Sequence, residues 1–580
     1  MMTTTNSRIG RRMLVALVAV FAMVATLISL PVNLAVAETD KLTVTLTRTD
    51  DLGSEIREGD RLTFRITYKN NTDSALTAFP RESNLSDVVP GDTKNCRWVN
   101  LAAGATKQCN FAFHIATAKD AQAGTFTPMS TWDATTDRDG NNVLQAGIQA
   151  NADPVTVIPV PDPLETPHDY AIGEIVHLAT PGSGGFPCHR IPALTQAVNG
   201  NIIAAWDGRP RGCGDAPTPN SIVYRISKDN GRSWSKIATA MEGHPAPGLE
   251  KYGYSDPSLV VDRETGDIFL FAVKSFQQGI AGSRLGVNHE DKNVIQAAVT
   301  KSSDNGETWE TPKIITEQVT GDVATWRARF ASSGEGIQLR YGEHKGRLLQ
   351  QYAIFKQGVR GLFNHSVYSD DHGETWHAGA LTAAYGDENK VVELSDGTLM
   401  MNSRTGAAGG HRYVSYSEDQ GETWGPWKVE NQLEDPVNNA SIIRAYPNAP
   451  EGSLRAKVLL FSNAKSTNRR ANGHVRISYD DGKTWNEGRQ FYAGSMAYST
   501  LTPLADGTYG LLFESDEYQN IDYMKIDAEW LGLIDPGEAT PEPTVEPSVE
   551  ATVVTVNGTQ IPDISVTPVV NVAVNDGATV

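Results

Sequence analysis

The sequence predicts an all-β protein with more than one domain, and three observations carry this prediction. Apolar and polar residues alternate with a period of two in segments of residues 41–157, an eight-residue turn motif recurs five times in residues 170–530, and glycine (52) and tryptophan (11) are abundant. Alternation of this period is typical of β-strands, and glycine-rich turns connect them. At roughly 100–200 residues per domain, the 580 residues predict two or three folded units.

The first unit, residues 38–158, is predicted to be an immunoglobulin-like β-sandwich. Apolar residues alternate in 42–46, 62–68 and 111–115, so that each set points to one side of its strand. We expect Phe111 to share the buried side with Phe113 and Ile115. Residues 159–169 contain four prolines and predict a short, stiff linker.

The second unit, residues 170–534, repeats the pattern Ser-x-Asp-x-Gly-x-Thr/Ser-Trp. In a tight turn the Asp can accept hydrogen bonds from backbone N–H groups, and the Gly can adopt a conformation that other residues avoid. The Trp can then pack between neighbouring sheets. About 360 residues at about 60 per repeat predict a six-bladed β-propeller. The five copies begin at Ser227, Ser302, Ser369, Ser417 and Ser478.

Residues 1–37 are predicted to be a signal peptide. Three arginines precede an apolar run at 13–30, and the small-x-small sequence Ala35-Val36-Ala37 follows. The alternative is an uncleaved membrane anchor, because about 18 apolar residues can span a bilayer. We expect a secreted or cell-surface protein without stable membrane insertion after cleavage.

The charge distribution excludes one class of partner. The chain has 50 basic and 69 acidic residues, a net charge of −19, so nucleic acid binding through a basic field is not expected. A few well-placed arginines can still bind a small anion. Residues 535–580 contain seven acidic and no basic residues, interleaved with prolines, and predict an acidic tail or linker.

Four cysteines are present, and an even number in an exported chain suggests two disulfides. Proximity favours Cys96–Cys109 and Cys188–Cys213, although three connectivities are possible. The sequence lacks the CxxC and HExxH spacings of common zinc sites, so no metal is expected.

The repeated turn motif resembles the Asp boxes of the sialidase superfamily. These boxes mark a fold rather than an activity, so function has to be inferred from site residues. The anomeric carbon of sialic acid carries a carboxylate that would repel a carboxylate nucleophile, and sialidases use a tyrosine instead. The phenol needs a nearby base, an acid must protonate the leaving oxygen, and arginines must bind the substrate carboxylate.

Two segments near the start of the second unit resemble sialidase motifs. Cys188-His189-Arg190-Ile191-Pro192 resembles the (F/Y)RIP motif, with His189 in place of the aromatic, which implies that Arg190 is the first carboxylate-binding arginine. The stretch 207–217 resembles the segment that carries the acid/base aspartate. The match falls on Asp215, with Asp207 as the local competitor, and it implies that Arg209 binds substrate. A Cys188–Cys213 disulfide would hold these two loops together.

Two later segments complete the acidic residues of the implied site. Tyr254-Ser255-Asp256-Pro257-Ser258 resembles an active-site loop in which Asp256 lines the pocket, and a plain turn residue is the alternative. The run at 386–393 resembles the segment of the base, which implies Glu388. Glu393 is the competing carboxylate there, and Glu335 is a weaker rival.

The remaining arginines and the tyrosine follow in order. The resemblance implies Arg404 as the second carboxylate-binding arginine and Arg470 as the third, with Arg469 as a solvated neighbour. Gly494-Ser495-Met496-Ala497-Tyr498-Ser499 resembles the nucleophile strand, which implies Tyr498. Tyr492 and Tyr509 are the other tyrosines considered.

The resemblance covers about residues 170–530 and is strongest to secreted actinobacterial sialidases. It implies an exo-α-sialidase that acts with retention on sialylated glycoproteins, glycolipids or oligosaccharides and needs no cofactor. One alternative is a trans-sialidase, or an intramolecular trans-sialidase, with the same residues. The other is a non-catalytic Asp-box propeller that binds glycans or proteins.

Overall fold

The computed structural model describes residues 40–86, 88, 96–244, 251–537, 555–556 and 559–560. The predicted signal peptide lies outside the described residues, as does nearly all of the predicted tail. In these described ranges, no helix is long and apolar enough to cross a membrane.

The first unit is built from three short sheets, in which one strand pair is parallel and the others are antiparallel. Its sheets have the strand orders β1-β3-β6, β2-β10-β7 and β5-β4-β8-β9. The elements are β1 (Leu42–Arg48), β2 (Glu55–Arg57), β3 (Arg61–Asn70), β4 (Leu76–Ser83), β5 (Trp98–Leu101), β6 (Thr106–Ile115), α1 (Ala118–Ala123), β7 (Thr125–Phe126), β8 (Met129–Thr135), β9 (Val143–Asn151) and β10 (Val155–Ile158).

One expectation for this unit is wrong. Phe111 in β6 is 72% exposed, whereas Cys109 and Ala112 are buried. The register between β3 and β6 shifts between Phe64 and Ile66, so the two strands do not keep a simple period of two. Such a bulge reverses which side chains face the core beyond it.

The second unit is a longer series of strands. They are β11 (Ile175–Ala179), β12 (Cys188–Gln196), β13 (Ile202–Arg209), β14 (Ser221–Ser227), β15 (Ala238–Met241), β16 (Gly253–Val261), β17 (Ile268–Ser275), β18 (Gln296–Ser302), β19 (Lys313–Ile314), β20 (Trp326–Ala331), β21 (Gly334–Glu335), β22 (Ile337–Gln338), β23 (Leu348–Lys356), β24 (Leu362–Ser369), β25 (His377–Ala378), β26 (Asn389–Glu393), β27 (Leu399–Ser403), β28 (His411–Ser417), β29 (Lys428–Glu434), β30 (Ser441–Arg444), β31 (Leu459–Ala464), β32 (Ala471–Ser478), β33 (Arg489–Pro503), β34 (Tyr509–Ser515) and β35 (Asn520–Ile526). The short helix α2 (Ala528–Leu531) and the strand pair β36 (Thr555–Val556) and β37 (Thr559–Gln560) follow.

Most of these strands form antiparallel groups of four, such as β12-β13-β14-β15 and β26-β27-β28-β29. The long strand β33 pairs with β32 through its first half and with β34 through its second half, so it belongs to two groups. Strand β11 pairs with β35, which brings the start and the end of the unit into one sheet. The prediction of an all-β chain is confirmed.

The eight-residue motif forms the predicted turn. In the first copy, Ser227 Oγ accepts from Gly231 N at 2.7 Å, and Asp229 accepts from Ser233 N at 2.8 Å and from Ser233 Oγ at 2.7 Å. The Ser-to-Gly bond recurs in the other four copies at 2.8–2.9 Å. The motif therefore satisfies its own backbone donors at the surface.

The turn also needs a left-handed residue before its glycine, which the sequence analysis did not anticipate. All five copies place a residue that is not β-branched there, with φ between 53° and 63°. The residues with positive φ are Asn230, Asn305, His372, Gln420 and Asp481.

The Trp of the first copy packs as predicted. The Trp234 side chain is buried, and its ring lies 4.9 Å from that of Tyr523 on a strand of another sheet.

Candidate active site

The three arginines singled out by the motifs surround one phenol ring. The guanidinium carbons of Arg470, Arg190 and Arg404 lie 5.3, 5.5 and 5.9 Å from the centre of the Tyr498 ring. They come from positions up to 280 residues apart along the chain. We call these three residues the arginine triad.

Arg190 reaches the site through an irregular strand. The register between β12 and β13 shifts between Arg190 and Ala193, and Ile191 has φ of +67°. This conformation is unfavourable for a β-branched residue, so it requires compensating contacts. Glu514 provides them, because its carboxylate accepts from Ile191 N at 2.8 Å and from Arg190 Nε at 3.1 Å.

Glu514 is a site residue that sequence reasoning missed. It is fully buried in β34 and also accepts from Tyr498 N at 3.2 Å, so it ties the first arginine to the nucleophile strand. Burial lowers the pKa of Arg190, but Glu514 and the other acidic groups outweigh this and raise it overall. The sequence feature that could have indicated Glu514 is a single acidic residue at the end of the apolar run Leu511-Leu512-Phe513-Glu514.

Tyr498 and Glu388 form a short hydrogen bond. The Tyr498 hydroxyl donates to Glu388 Oε2 at 2.5 Å, and both residues are buried. Arg404 Nη1 lies 2.7 Å from the same hydroxyl oxygen and 2.5 Å from Glu388 Oε2. Arg404 is held in turn by Asp387, whose Oδ2 accepts from its Nε at 2.9 Å.

The phenol needs this carboxylate partner. Burial raises the pKa of Tyr498 well above its ordinary value of 10, Arg404 opposes the rise and Glu388 adds to it. The hydroxyl is therefore protonated at neutral pH. A nucleophilic role requires that its proton be transferred as the bond forms, and Glu388 is placed to accept it.

Asp215 is the exposed carboxylate of the site. Its side chain is 77% exposed, and its Oδ1 lies 2.7 Å from Arg209 Nη1 and 3.5 Å from Arg190 Nη1. Partial burial would raise the pKa of Asp215, but Arg209 and then Arg190 and Arg470 lower it below the ordinary value.

Arg209 was predicted to contact substrate, but its guanidinium is buried and already engaged. It donates to Asp207 at 2.9 and 3.2 Å, to Cys213 O at 2.6 Å and to Asp215. In this arrangement Arg209 positions Asp215. Asp207, the local competitor, is fully buried beneath it.

Both predicted disulfides are present, Cys96–Cys109 and Cys188–Cys213. The second bond joins the first residue of β12, two residues before Arg190, to the loop before Asp215. It therefore links the loop that carries Asp215 to the edge of the strand that carries Arg190.

Asp256 lies beside these residues with φ of +61°, and its backbone N–H donates to Asp207 Oδ1 at 3.0 Å. Burial raises the pKa of Asp256 strongly, and Asp207 and Glu388 add to the rise. We therefore expect a neutral Asp256 carboxyl, which can donate as well as accept hydrogen bonds.

Arg470 has a second aromatic partner that sequence reasoning missed. Its Nη1 donates to the Tyr518 hydroxyl at 3.2 Å and its Nη2 to Val437 O at 3.2 Å. The guanidinium carbon of Arg190 lies 4.3 Å from the centre of the Tyr518 ring. Tyr518 follows a polar loop after β34, where nothing in the local sequence indicates a site. Arg469 is exposed.

The rival carboxylates and tyrosines are engaged elsewhere. Glu393 accepts from Arg444 at 2.8 Å and from two backbone N–H groups. Glu335 accepts from Thr195 at 2.6 Å and from Thr502 at 3.2 Å. The Tyr492 hydroxyl donates to Asp516, and Tyr509 donates to Ala445 O at 3.1 Å.

The arrangement suits a ligand with a carboxylate beside a reactive carbon. Three guanidinium groups supply charge-assisted bonds, a neutral phenol lies at their centre, and an exposed carboxyl stands at the edge. The part of the chain that the structure describes contains no group of three or more His, Cys, Asp and Glu side chains arranged to hold a metal ion.

Comparison with known proteins shows which family this chain is similar to. The family model described as "BNR repeat-like domain" matches residues 200–511. The sialidase of Micromonospora viridifaciens is 49% identical over 417 residues, which are 71% of this chain and 62% of that protein. This chain thus spans less than two thirds of that relative. An exo-alpha-sialidase of Arthroderma benhamiae is 29% identical over 61% of this chain and 85% of its own length.

A solved structure shares the fold. A Hadza microbial sialidase superposes with a TM-score of 0.55 at 22% identity, over 85% of this chain and 93% of that one.

Proposed function

This chain belongs to the family described as "BNR repeat-like domain", and from this premise we propose that it is an exo-α-sialidase. It hydrolyses terminal sialic acids of glycoproteins, glycolipids or oligosaccharides with retention of configuration. The observation that carries the proposal is the arginine triad around Tyr498, whose hydroxyl donates to Glu388 at 2.5 Å.

The arginine triad binds the substrate carboxylate. Guanidinium groups form paired bonds to carboxylates and keep their charge at any working pH. Glu514 and Asp387 hold Arg190 and Arg404 in fixed orientations before substrate arrives. The anomeric carbon, which bears this carboxylate, is thereby held beside Tyr498.

The first chemical step forms a bond from Tyr498 Oη to the anomeric carbon. The hydroxyl proton passes to Glu388, the bond from the anomeric carbon to the leaving oxygen breaks, and Asp215 gives its proton to that oxygen. A neutral phenol approaches the carboxylate-bearing carbon without the repulsion that a carboxylate nucleophile would meet. The substrate carboxylate offsets the charges of Arg190 and Arg470, two of the three arginines that lower the pKa of Asp215, and this favours its protonated form.

The second step releases the sugar. Asp215, now ionised, takes a proton from water, the water oxygen bonds to the anomeric carbon, and the bond to Tyr498 Oη breaks. Glu388 returns the proton to the phenolate. Two displacements at one carbon give net retention.

We also propose the domain arrangement that the sequence predicts. Residues 1–37 are a signal peptide, 38–158 an immunoglobulin-like sandwich, 159–169 a linker, 170–534 a six-bladed propeller and 535–580 an acidic tail or linker. The antiparallel groups of four strands and the β11–β35 pairing support the propeller. The protein is then secreted or associated with the cell surface.

Purified protein tests the proposal by release of 4-methylumbelliferone from its α-sialoside. We expect Tyr498→Phe to lower turnover by orders of magnitude while the fold is kept, and Tyr492→Phe, on the same strand, to serve as the control. Full activity in Tyr498→Phe would sink the nucleophile assignment. Mass analysis of products from sialyllactose, with and without added lactose, separates hydrolysis from transfer and from release of an anhydro sugar.

A further inference from the structure

Lys390 is a buried lysine two residues after the proposed base. It lies in β26, and its side chain is almost fully enclosed, with 3% of the residue exposed. A lysine is rarely buried unless a partner stabilises its charge. Its Nζ donates to Asn439 Oδ1 at 3.1 Å.

A chain of hydrogen bonds connects this ammonium to the nucleophile. Asn439 Nδ2 donates to Ser333 Oγ at 2.8 Å, and Ser333 Oγ donates to Glu388 Oε1 at 3.4 Å. The other oxygen of Glu388 accepts from Tyr498 at 2.5 Å. All five residues are buried, so each link lies in a medium of low dielectric constant, where such bonds strengthen.

The Lys390 side chain packs against Gly334, where a larger residue would not fit. A Cβ atom at Gly334 would lie 2.9 Å from Lys390 Cε, and Gly334 has φ of +121°. Any larger residue at 334 would meet both the lysine stem and an unfavourable backbone conformation.

The charges around Lys390 favour an interaction with Glu388. Burial lowers the pKa of Lys390 to about 7, Glu388 opposes that change, and Arg412 and Arg404 add to it. The other charged groups on adjoining elements have partners of their own: Asp435 is bound to Arg412, Asp387 to Arg404, and Glu335 to Thr195 and Thr502.

We propose that Lys390 is a positioning residue for the general base: acting through Asn439 and Ser333, its ammonium stabilises the negative charge of the Glu388 carboxylate and holds it toward Tyr498. The proposal rests on the proposed sialidase function. Glu388 raises the pKa of the Asp256 and Asp387 carboxyls beside it, so negative charge is crowded around the base. The base has to carry its negative charge to take the Tyr498 proton, and a positive charge behind it supports this step.

The pH dependence of kcat tests this role. Lys390→Met removes the positive charge behind the base, so we expect the acid limb of the kcat profile to move up by about 0.5–1 pH unit. Lys390→Arg keeps a charge and should keep the wild-type limb. KM should change less than kcat, because Lys390 does not contact substrate. A folded Lys390→Met protein with the wild-type acid limb overturns the proposal.

Ser333→Ala tests the hydrogen-bonded route and decides the question if Lys390→Met does not fold. It removes the hydroxyl between Asn439 and Glu388 but leaves the ammonium in place. We expect a smaller upward shift of the acid limb than in Lys390→Met. An unchanged limb shows that the route through Ser333 does not act on Glu388 and overturns the proposal as stated.

A stability measurement separates this proposal from the proposed function. A lysine titrating near pH 7 when folded and near about 10.4 when unfolded binds more protons in the unfolded state between these values, so its folding cost falls as pH rises. The difference in Tm between Lys390→Met and wild type should therefore favour the variant most below pH 7 and shrink toward pH 10. A Tm difference that does not depend on pH contradicts the proposal that Lys390 is buried with its charge. A wild-type protein that releases no fluorophore refutes only the sialidase function.

Discussion

Replacement of Glu514 by glutamine tests whether this buried carboxylate holds Arg190 and the strand of Tyr498 in place. Glu514 is fully buried and accepts from Arg190, from Ile191 N and from Tyr498 N. The amide has almost the same shape but no charge, and its NH₂ group must face donors where an oxygen stood. Arg190, with a side chain 10% exposed, then keeps a buried charge without its main partner.

The expected loss of stability follows from this burial. Removal of one partner of a buried ion pair costs about 3–5 kcal/mol. A unit of about 365 residues has an unfolding entropy of about 0.77 kcal/mol/K, so the Tm should fall by about 4–7 °C. Calorimetry of Glu514→Gln measures this directly. Glu418→Gln, an exposed residue of an eight-residue turn, is the matched control and should lie within about 0.5 kcal/mol of wild type.

Activity should fall together with stability. A misoriented Arg190 loses a charge-assisted bond to the substrate carboxylate worth about 1.5–3 kcal/mol, which is about a 10- to 150-fold loss in kcat/KM. Fluorophore release, measured well below the Tm of the variant, gives this ratio. Wild-type Tm and wild-type kcat/KM in Glu514→Gln would refute the reasoning that Glu514 holds Arg190 and the nucleophile strand.

Three further predictions concern Asp215, Tyr498 and the Cys188–Cys213 disulfide. Asp215→Ala should slow hydrolysis of sialyllactose by about 10²–10⁴-fold. It should slow hydrolysis of the umbelliferyl sialoside much less, because that leaving group needs little protonation. Equal losses with both substrates would show that Asp215 is not the acid. Raising the pH through neutrality should leave Tyr498 protonated in the free protein, because its pKa is raised well above 10. A phenolate absorbance band below pH 10 that is present in the wild type and lost in Tyr498→Phe would contradict the structure. The double variant Cys188→Ser/Cys213→Ser removes a disulfide that spans a sequence separation of 25. Its free energy of unfolding should fall by about 3.5 kcal/mol, and its Tm by about 5 °C. An unchanged Tm would exclude a stabilising role for this bond.

Local patterns predicted much of the fold. The turn motif satisfies its backbone donors within eight residues, so five copies could be read from the sequence and are found as turns. Phe111 shows the limit of such reasoning. Its strand alternates as expected in sequence, yet a register shift against β3 turns its ring into solvent. Pairing between strands decides such a shift, and no local pattern records it.

For the site, the sequence by itself determined which residue types were available and in what order, because each motif is short. Only the tertiary structure decided which of them meet: Glu514 under Arg190, Tyr518 beside Arg470, and Arg209 committed to Asp215 rather than open to a ligand. The physical reason is that buried charges must find partners, and in this chain most of those partners lie on strands that are distant in sequence. The net charge of −19 is spread over the whole chain, whereas the three guanidinium groups within 6 Å of one ring set the local attraction for an anion.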